Sequence, residues 1–259
     1  MEPQENNPKN EIISPENPSP TKPTGISVAA AIITAAAVIA LALIIGLHSS
    51  PAAGTAPTTA TTPTTPTATV AVDINKVNTA GEPYIGSLTA PVTIAYWFDY
   101  QCPFCKQNEQ TTMPEIVTNY VDTGKVRVVF KDFAFLGPDS QTLGQYGRAV
   151  WAEDPAKFGA WHDAIFAAQG TENTGWATQT EILSVTTSVL GAAETAKVAQ
   201  LVVTNGATYQ KEMDADKTEA GTFGIDGTPA FIIGTQVITG AEPYATFEAA
   251  INTALAAKS

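Results

Sequence analysis

Apolar and polar positions divide the chain into four stretches of different texture. Residues 1–25 carry six prolines among Asn, Glu, Ser and Lys and show no apolar period, which predicts a disordered tail. Ile26 to Leu47, ISVAAAIITAAAVIALALIIGL, is 22 residues without a charge. As a helix it would extend roughly 33 Å at 1.5 Å per residue, enough for the hydrocarbon core of a bilayer. A secretory leader has a shorter apolar core and follows a basic N-terminus directly, so the run reads as an uncleaved signal-anchor. Residues 48–69 are nearly all Thr, Ala and Pro, a composition that builds no core and reads as a spacer open to O-glycosylation. From residue 70 to 259 the texture changes to alternating and helical periods, and here a folded domain is expected.

Within that domain the pattern orders the elements. Val92 to Phe98 is a β-branched and aromatic run short enough for a buried strand. Lys106 to Val121 follows with Met113, Ile116, Val117 and Tyr120 at helical spacing, and Pro114 predicts a kink. Val126 to Phe130 reads as a second strand. Residues of about 140–221 are mostly helical: Asp154 caps a helix with Pro155 in its first position, Ile182 to Leu190 marks another, and Thr195 to Glu219 a long one. Ala230–Ile233 and Gln236–Thr239 form a hairpin about Gly234-Thr235, and Thr246 to Ala257 closes the chain as a helix. The order predicts an α/β layer with a helical insertion.

Charge narrows the function. Lys and Arg total 13 against 25 Asp and Glu, a formal charge of −12, so no basic nucleic-acid footprint exists. Lys9 and Lys22 precede the apolar span and no Lys or Arg follows it until Lys76, which places the N-terminus in the cytoplasm and the domain outside. Two cysteines make no disulfide scaffold, and with only His48 and His162 beside them a four-ligand Cys/His zinc site is incomplete. No metal and no cofactor is expected. His162 reads as a packing or surface histidine on its helix, and Trp151, Trp161 and Trp176 as core.

The chemistry concentrates at Asp99-Tyr100-Gln101-Cys102-Pro103-Phe104-Cys105, where the buried strand turns into a helix. Unpaired N–H groups and the helix dipole favour a thiolate at Cys102, Pro103 suits the first helical position, and Cys105 falls one turn later on the inner side. A CxxC in this setting reads as a thioredoxin-like redox pair. A second short signal, Gly227-Thr228-Pro229-Ala230, stands immediately before a strand; taken alone it is also compatible with an ordinary turn.

Together these stretches resemble the DsbA-like thiol–disulfide oxidoreductases, in their membrane-anchored form. The resemblance covers residues 82–257: Gly86 to Val92 leading into the strand, Phe98 to Cys105, the helical insertion, Gly227 to Gly234, and Ile238 to Ala241. It implies a thioredoxin-like fold with a helical insertion, Cys102 as the attacking and attacked sulfur, Cys105 as the resolving one, and a cis Pro229. It also implies that the Thr228 backbone pairs with a substrate strand while Phe104 lines the contact surface. The implied partners are exported proteins with reduced cysteines and a membrane quinone-linked reoxidase of the DsbB or vitamin-K-epoxide-reductase type.

Two positions depart from the family pattern. Tyr96 stands six residues before the first cysteine, where thioredoxin-type enzymes often carry a buried acid. Asp99 is the nearest carboxylate, and two readings of it stay open, a capping acid or a proton-transfer group. Phe104 replaces the histidine of Pro-His enzymes and adds no charge to hold a thiolate, which predicts a weaker oxidant. The expected activity is that of a membrane-tethered, extracytoplasmic thiol oxidase that passes the Cys102–Cys105 disulfide to exported proteins. The alternatives are a reductase or isomerase of the same fold and, outside enzymology, a binding module with a structural disulfide.

Overall fold

The computed structural model describes residues 72–258. The tail, the apolar span and the whole of the spacer lie outside them. Among the described residues no helix is long and apolar enough to cross a membrane.

Five strands form one mixed sheet: β1 (Tyr84–Gly86), β2 (Val92–Phe98), β3 (Val126–Asp132), β4 (Ala230–Ile233) and β5 (Gln236–Thr239), in the order β1-β3-β2-β4-β5. β2 runs parallel to β3 and antiparallel to β4, while β1 and β5 are antiparallel edges. Seven helices complete the domain: α1 (Pro103–Thr111), α2 (Met113–Ile116), α3 (Pro138–Glu153), α4 (Phe158–Ala168), α5 (Gln179–Leu190), α6 (Ala192–Thr222) and α7 (Tyr244–Ala256).

Both faces of β2 are buried, so the run is apolar throughout instead of alternating. The period of two still sorts the side chains. Ile94, Tyr96 and Phe98 enter a large core with Phe130, Phe231, Phe247 and α4, whereas Ala95 and Trp97 join a smaller one with Phe133, Ala220, Phe223 and Ile232. The insertion α3–α6 enters between β3 and β4, the place expected for it, with limits two residues earlier at its start and one later at its end.

Local chemistry explains where the elements depart from expectation. The helix expected over 106–121 is two helices and a π turn. Pro114 offers no N–H to the preceding turn, and α1 closes at Thr112, the C-cap, whose hydroxyl donates to Glu242 O at 3.0 Å. After α2 the chain widens into a π turn over Val117–Val121, where Asp122 N donates to Val117 O. Asp154 does cap Pro155, but the capped piece is a 3-10 turn, Pro155–Lys157, which leads straight into α4. β1 has no counterpart in the sequence reading. It is three residues long and ends at Gly86, whose φ of +93° and 2.6 Å approach of a Cβ position to Val126 O admit no side chain.

Candidate functional site

Strand register builds the site. β2 and β4 pair antiparallel with Trp97 opposite Ala230, so the C-terminal end of β2 lies beside the start of β4. Cys102 follows the first and Pro229 precedes the second. The two motifs, more than a hundred residues apart in the chain, therefore form facing walls. The Thr228–Pro229 peptide is cis, and Cys102 Sγ lies 3.4 Å from Thr228 O as its donor.

Cys102 is the N-cap of α1 and Pro103 its first residue. The sulfur accepts from Cys105 N at 3.4 Å, taking one of the otherwise orphaned first-turn donors. Both cysteines are free. Cys102 is only 4% exposed and Cys105 not at all, while Phe104 between them is 59% exposed; Phe135, in the loop after β3, is also exposed. Phe104 and the solvent-facing edge of Cys102 thus present an apolar, reactive surface.

The two thiols are driven apart electrostatically. Cys102 is lowered to about 6, first by the hydrogen bond with the Cys105 thiol, with burial opposing, then by the side chain of Thr228 and the backbone N–H groups of Cys105 and Phe104. Burial pushes Cys105 well above the usual thiol range, and the Cys102 sulfur pushes it further. At neutral pH the pair holds one thiolate and one thiol, the arrangement that attacks a disulfide from outside and resolves the product from inside.

Three buried polar side chains hold the loop that carries Cys102. Asp99, 1% exposed, accepts through Oδ1 from Gln101 N (2.8 Å) and Ser140 Oγ (2.6 Å), and through Oδ2 from Phe135 N (2.9 Å) and Leu136 N (3.1 Å). It joins the loop to the start of α3. Gln101 donates to Leu136 O and Ser140 Oγ and accepts from Asn173 N. Gln169, at the end of α4, donates to Tyr100 O (2.7 Å) and Cys102 O (3.1 Å), and its own carbonyl accepts from Lys106 Nζ. Neither glutamine was singled out from the sequence, because nothing local marks a polar residue whose partners are loop carbonyls far along the chain.

Beneath Cys105 lies a second group that the sequence reading left apart. Tyr96 projects from β2 and stacks on Phe231, with ring centroids 4.4 Å apart. Glu109 follows Cys105 by one turn on α1 and is also buried. His162, read from the sequence as a packing or surface residue, is buried and bridges Tyr100 Oη (3.0 Å from Nδ1) and Glu109 Oε1 (3.3 Å from Nε2). With Glu109 accepting from Nε2–H, Nδ1 is left to accept the Tyr100 hydroxyl proton. The signal in the sequence was the four-residue spacing from Cys105 to Glu109, which puts both on one helix face. Among the described residues no cluster of His, Cys, Asp and Glu has a metal-holding arrangement.

A profile of the thioredoxin family matches residues 78–253. Disulfide bond formation protein D of Bacillus subtilis (strain 168) is 28% identical over 169 residues, 63% of this chain and 72% of that protein. A probable disulfide bond formation protein D of Bacillus cereus is 32% identical over 101 residues, 39% of this chain and 47% of the relative, so that match spans about half the relative's length. In three dimensions the chain is similar to the crystal structure of oxidised BdbD from Bacillus subtilis, with a TM-score of 0.64 and 24% identity, over 73% of this chain and 98% of that one.

Proposed function

The chain belongs to the thioredoxin family as a DsbA-like thiol–disulfide oxidoreductase, and on that premise we propose that it is an oxidase that introduces disulfides into exported proteins. The observation that carries this direction is the split between the two thiols. A nucleophilic cysteine held near pH 6 stabilises the reduced protein, and whatever stabilises the dithiol makes the disulfide a stronger oxidant. The name of the Bacillus subtilis relative, a disulfide bond formation protein, points the same way.

In this reading Cys102 and Cys105 are the catalytic, redox-active pair. A substrate thiolate attacks Cys102 Sγ of the Cys102–Cys105 disulfide, and Cys105 leaves with the electron pair and takes up a proton. The substrate's second thiolate then attacks its own sulfur in the mixed disulfide. Cys102 leaves as thiolate, a good leaving group because its pKa is low. The substrate has lost two electrons and the protein holds them as a dithiol. A membrane quinone-linked oxidase of the DsbB or vitamin-K-epoxide-reductase type accepts them in turn.

Pro103 and Phe104 with Thr228 and Pro229 form the lips of the site, and the extended substrate chain lies along the Thr228 backbone. Asp99 belongs to this site as the acid that holds the loop, since all four of its hydrogen bonds are to loop or α3 donors. Phe104 serves the thiolate through its backbone N–H alone, so the protein is a weaker oxidant than the same protein with histidine there. The uncharged run 26–47 anchors the enzyme with its N-terminus in the cytoplasm, and the Thr/Pro/Ala spacer holds the catalytic domain outside, where disulfides persist.

Cys105→Ser, expressed in the native host and examined on non-reducing gels, is expected to accumulate mixed disulfides with exported proteins through Cys102. Wild-type Cys102 and Cys105 are expected to be held oxidised in vivo. A pair held reduced would make the enzyme a reductase or isomerase. No trapped substrates, together with unimpaired secreted-protein oxidation in Cys102→Ser, would remove the oxidase assignment.

A further inference from the structure

Every thiol–disulfide exchange at this site, in either direction, moves a proton at Cys105. To resolve a mixed disulfide the thiol must become a thiolate, and when it leaves the oxidised pair it must be protonated again. Its sulfur is closed to solvent. Asp99 has no oxygen free of strong donors. The strand residue beside the thiol is Tyr96, not an acid.

Two buried oxygens near Cys105 lack what buried oxygens ordinarily have. The Tyr96 hydroxyl and Glu109 Oε2 make no well-formed hydrogen bond. Both lie in one neighbourhood: the charges of Cys105 and of Glu109 each act on the Tyr96 hydroxyl, and Cys105 and Glu109 are one helical turn apart on α1. Glu109's other oxygen is oriented by His162. On its far side Glu109 lines an open cleft of about 640 Å³ between α1–α2 and α4, together with Met113, Phe130, His162 and Asp163. The carboxylate thus has one side toward the buried thiol and one toward solvent.

We propose that Glu109 is the proton acceptor and donor for Cys105, acting through the Tyr96 hydroxyl, and that the cleft beside α4 connects it to water. During resolution the Cys105 S–H proton passes to the Tyr96 oxygen while the tyrosine proton passes to Glu109 Oε2. The Cys105 thiolate attacks Cys102 Sγ, the bond from Cys102 to the partner sulfur breaks, and the partner cysteine leaves with the electron pair. When the Cys102–Cys105 disulfide is opened by an incoming thiolate, the proton runs back along the same path to Cys105. Tyr96 is the group that touches the thiol, and Glu109 acts through it. The titratable groups facing Glu109 are Cys105 on its own helix, Tyr96 from β2, Tyr100 from the loop between β2 and α1, and His162 and Asp163 from α4, with Asp122 further along the cleft. No Lys or Arg lines that cleft.

The inference rests on exchange chemistry at Cys102 and Cys105 and not on its direction, so a reductase outcome in vivo would leave it standing. The reduced full-length protein, solubilised in detergent, is mixed in a stopped-flow instrument with 5,5′-dithiobis(2-nitrobenzoate). One coloured thiolate is released when Cys102 attacks and a second when Cys105 resolves. In Glu109→Gln the first phase is expected to stay within about twofold of wild type, and the second to slow by about tenfold or more at pH 6–7. The gap closes toward pH 9, as hydroxide takes the proton instead. Tyr96→Phe is expected to slow the second phase in the same way, and it carries the test if Glu109→Gln fails to fold. A second phase at the wild-type rate, or both phases slowed in parallel at every pH, would overturn the proposal.

Discussion

Cys102 and Cys105 share one turn of helix, yet their environments drive their protons in opposite directions. Cys102 caps the helix and collects donors; Cys105 is sealed beneath it and meets mainly burial and a neighbouring sulfur. The consequence for pH follows from the lower value. In the reduced protein Cys102 loses its proton near 6 where an ordinary thiol loses it near 9.0. The folded dithiol therefore gains stability as pH rises from about 6 toward 9, and that gain is absent below 6. The disulfide form has no such group. The difference in melting temperature between reduced and oxidised protein is expected to shift in favour of the reduced form between pH 5 and pH 8. Iodoacetamide should label Cys102 with a midpoint near pH 6 and leave Cys105 almost unlabelled there. A Cys102 midpoint near 9 would contradict the assignment. Both cysteines were legible in the sequence, because a CxxC between a buried strand and a helix has few other uses. Glu109 and His162 were not read as a pair, since only the packing of α4 against α1 brings them together.

At the scale of elements, helix ends and strand ends decide the site. The apolar period predicted β2, β3, β4 and β5 closely, and the proline signal at Pro103 placed the start of α1. Pro114 was legible as an interruption, but its outcome as a closed helix and a π turn depends on contacts with the segment before α7. The end of α4 matters more than its periodicity suggests. Gln169 reaches from there to two carbonyls of the active-site loop, so the insertion reinforces the loop it covers. Gln169→Ala leaves Tyr100 O and Cys102 O without that donor. It is expected to lower stability by about 1–3 kcal/mol in urea unfolding of the reduced protein. A loss within about 0.5 kcal/mol, the ordinary range for a surface change, would mean that water replaces the amide at no cost.

Across the whole domain, the insertion is tied to the sheet by a buried charge cluster. Lys131 on β3 pairs with Glu82, Asp216 and Glu219, and Arg148 on α3 with Glu82, Asp132, Asp216 and Glu212. Glu212, Asp216 and Glu219 come from α6, so two cations hold strand, insertion and the segment before β1 in one arrangement. Such a cluster specifies geometry more than it adds net stability, but removing one partner leaves buried carboxylates uncompensated. Arg148→Met is expected to cost about 3–5 kcal/mol in equilibrium unfolding. Burial, then Glu82, raises Asp216 to about 8, while Lys131 and Arg148 pull it down. Removing Arg148 takes away one of the two cations that favour the charged carboxylate, so Asp216 is expected to hold its proton to a higher pH in Arg148→Met than in wild type. The loss should therefore be larger at pH 9 than at pH 6, and a loss independent of pH would contradict the role given to Asp216.

What the sequence determined by itself is the layout and the reagent: the uncharged run, the spacer, the α/β order, and a CxxC at a helix N-terminus. These are local properties, written in periodicity and in neighbouring residues. The tertiary structure alone decided which groups share space with the sulfurs. Antiparallel pairing of β2 with β4 brought Thr228 and Pro229 to Cys102. The packing of α4 on α1 set His162 against Glu109 and left a buried carboxylate oxygen unpartnered near Cys105. Such contacts join residues dozens of positions apart, and no local pattern encodes a meeting that only the closed core enforces.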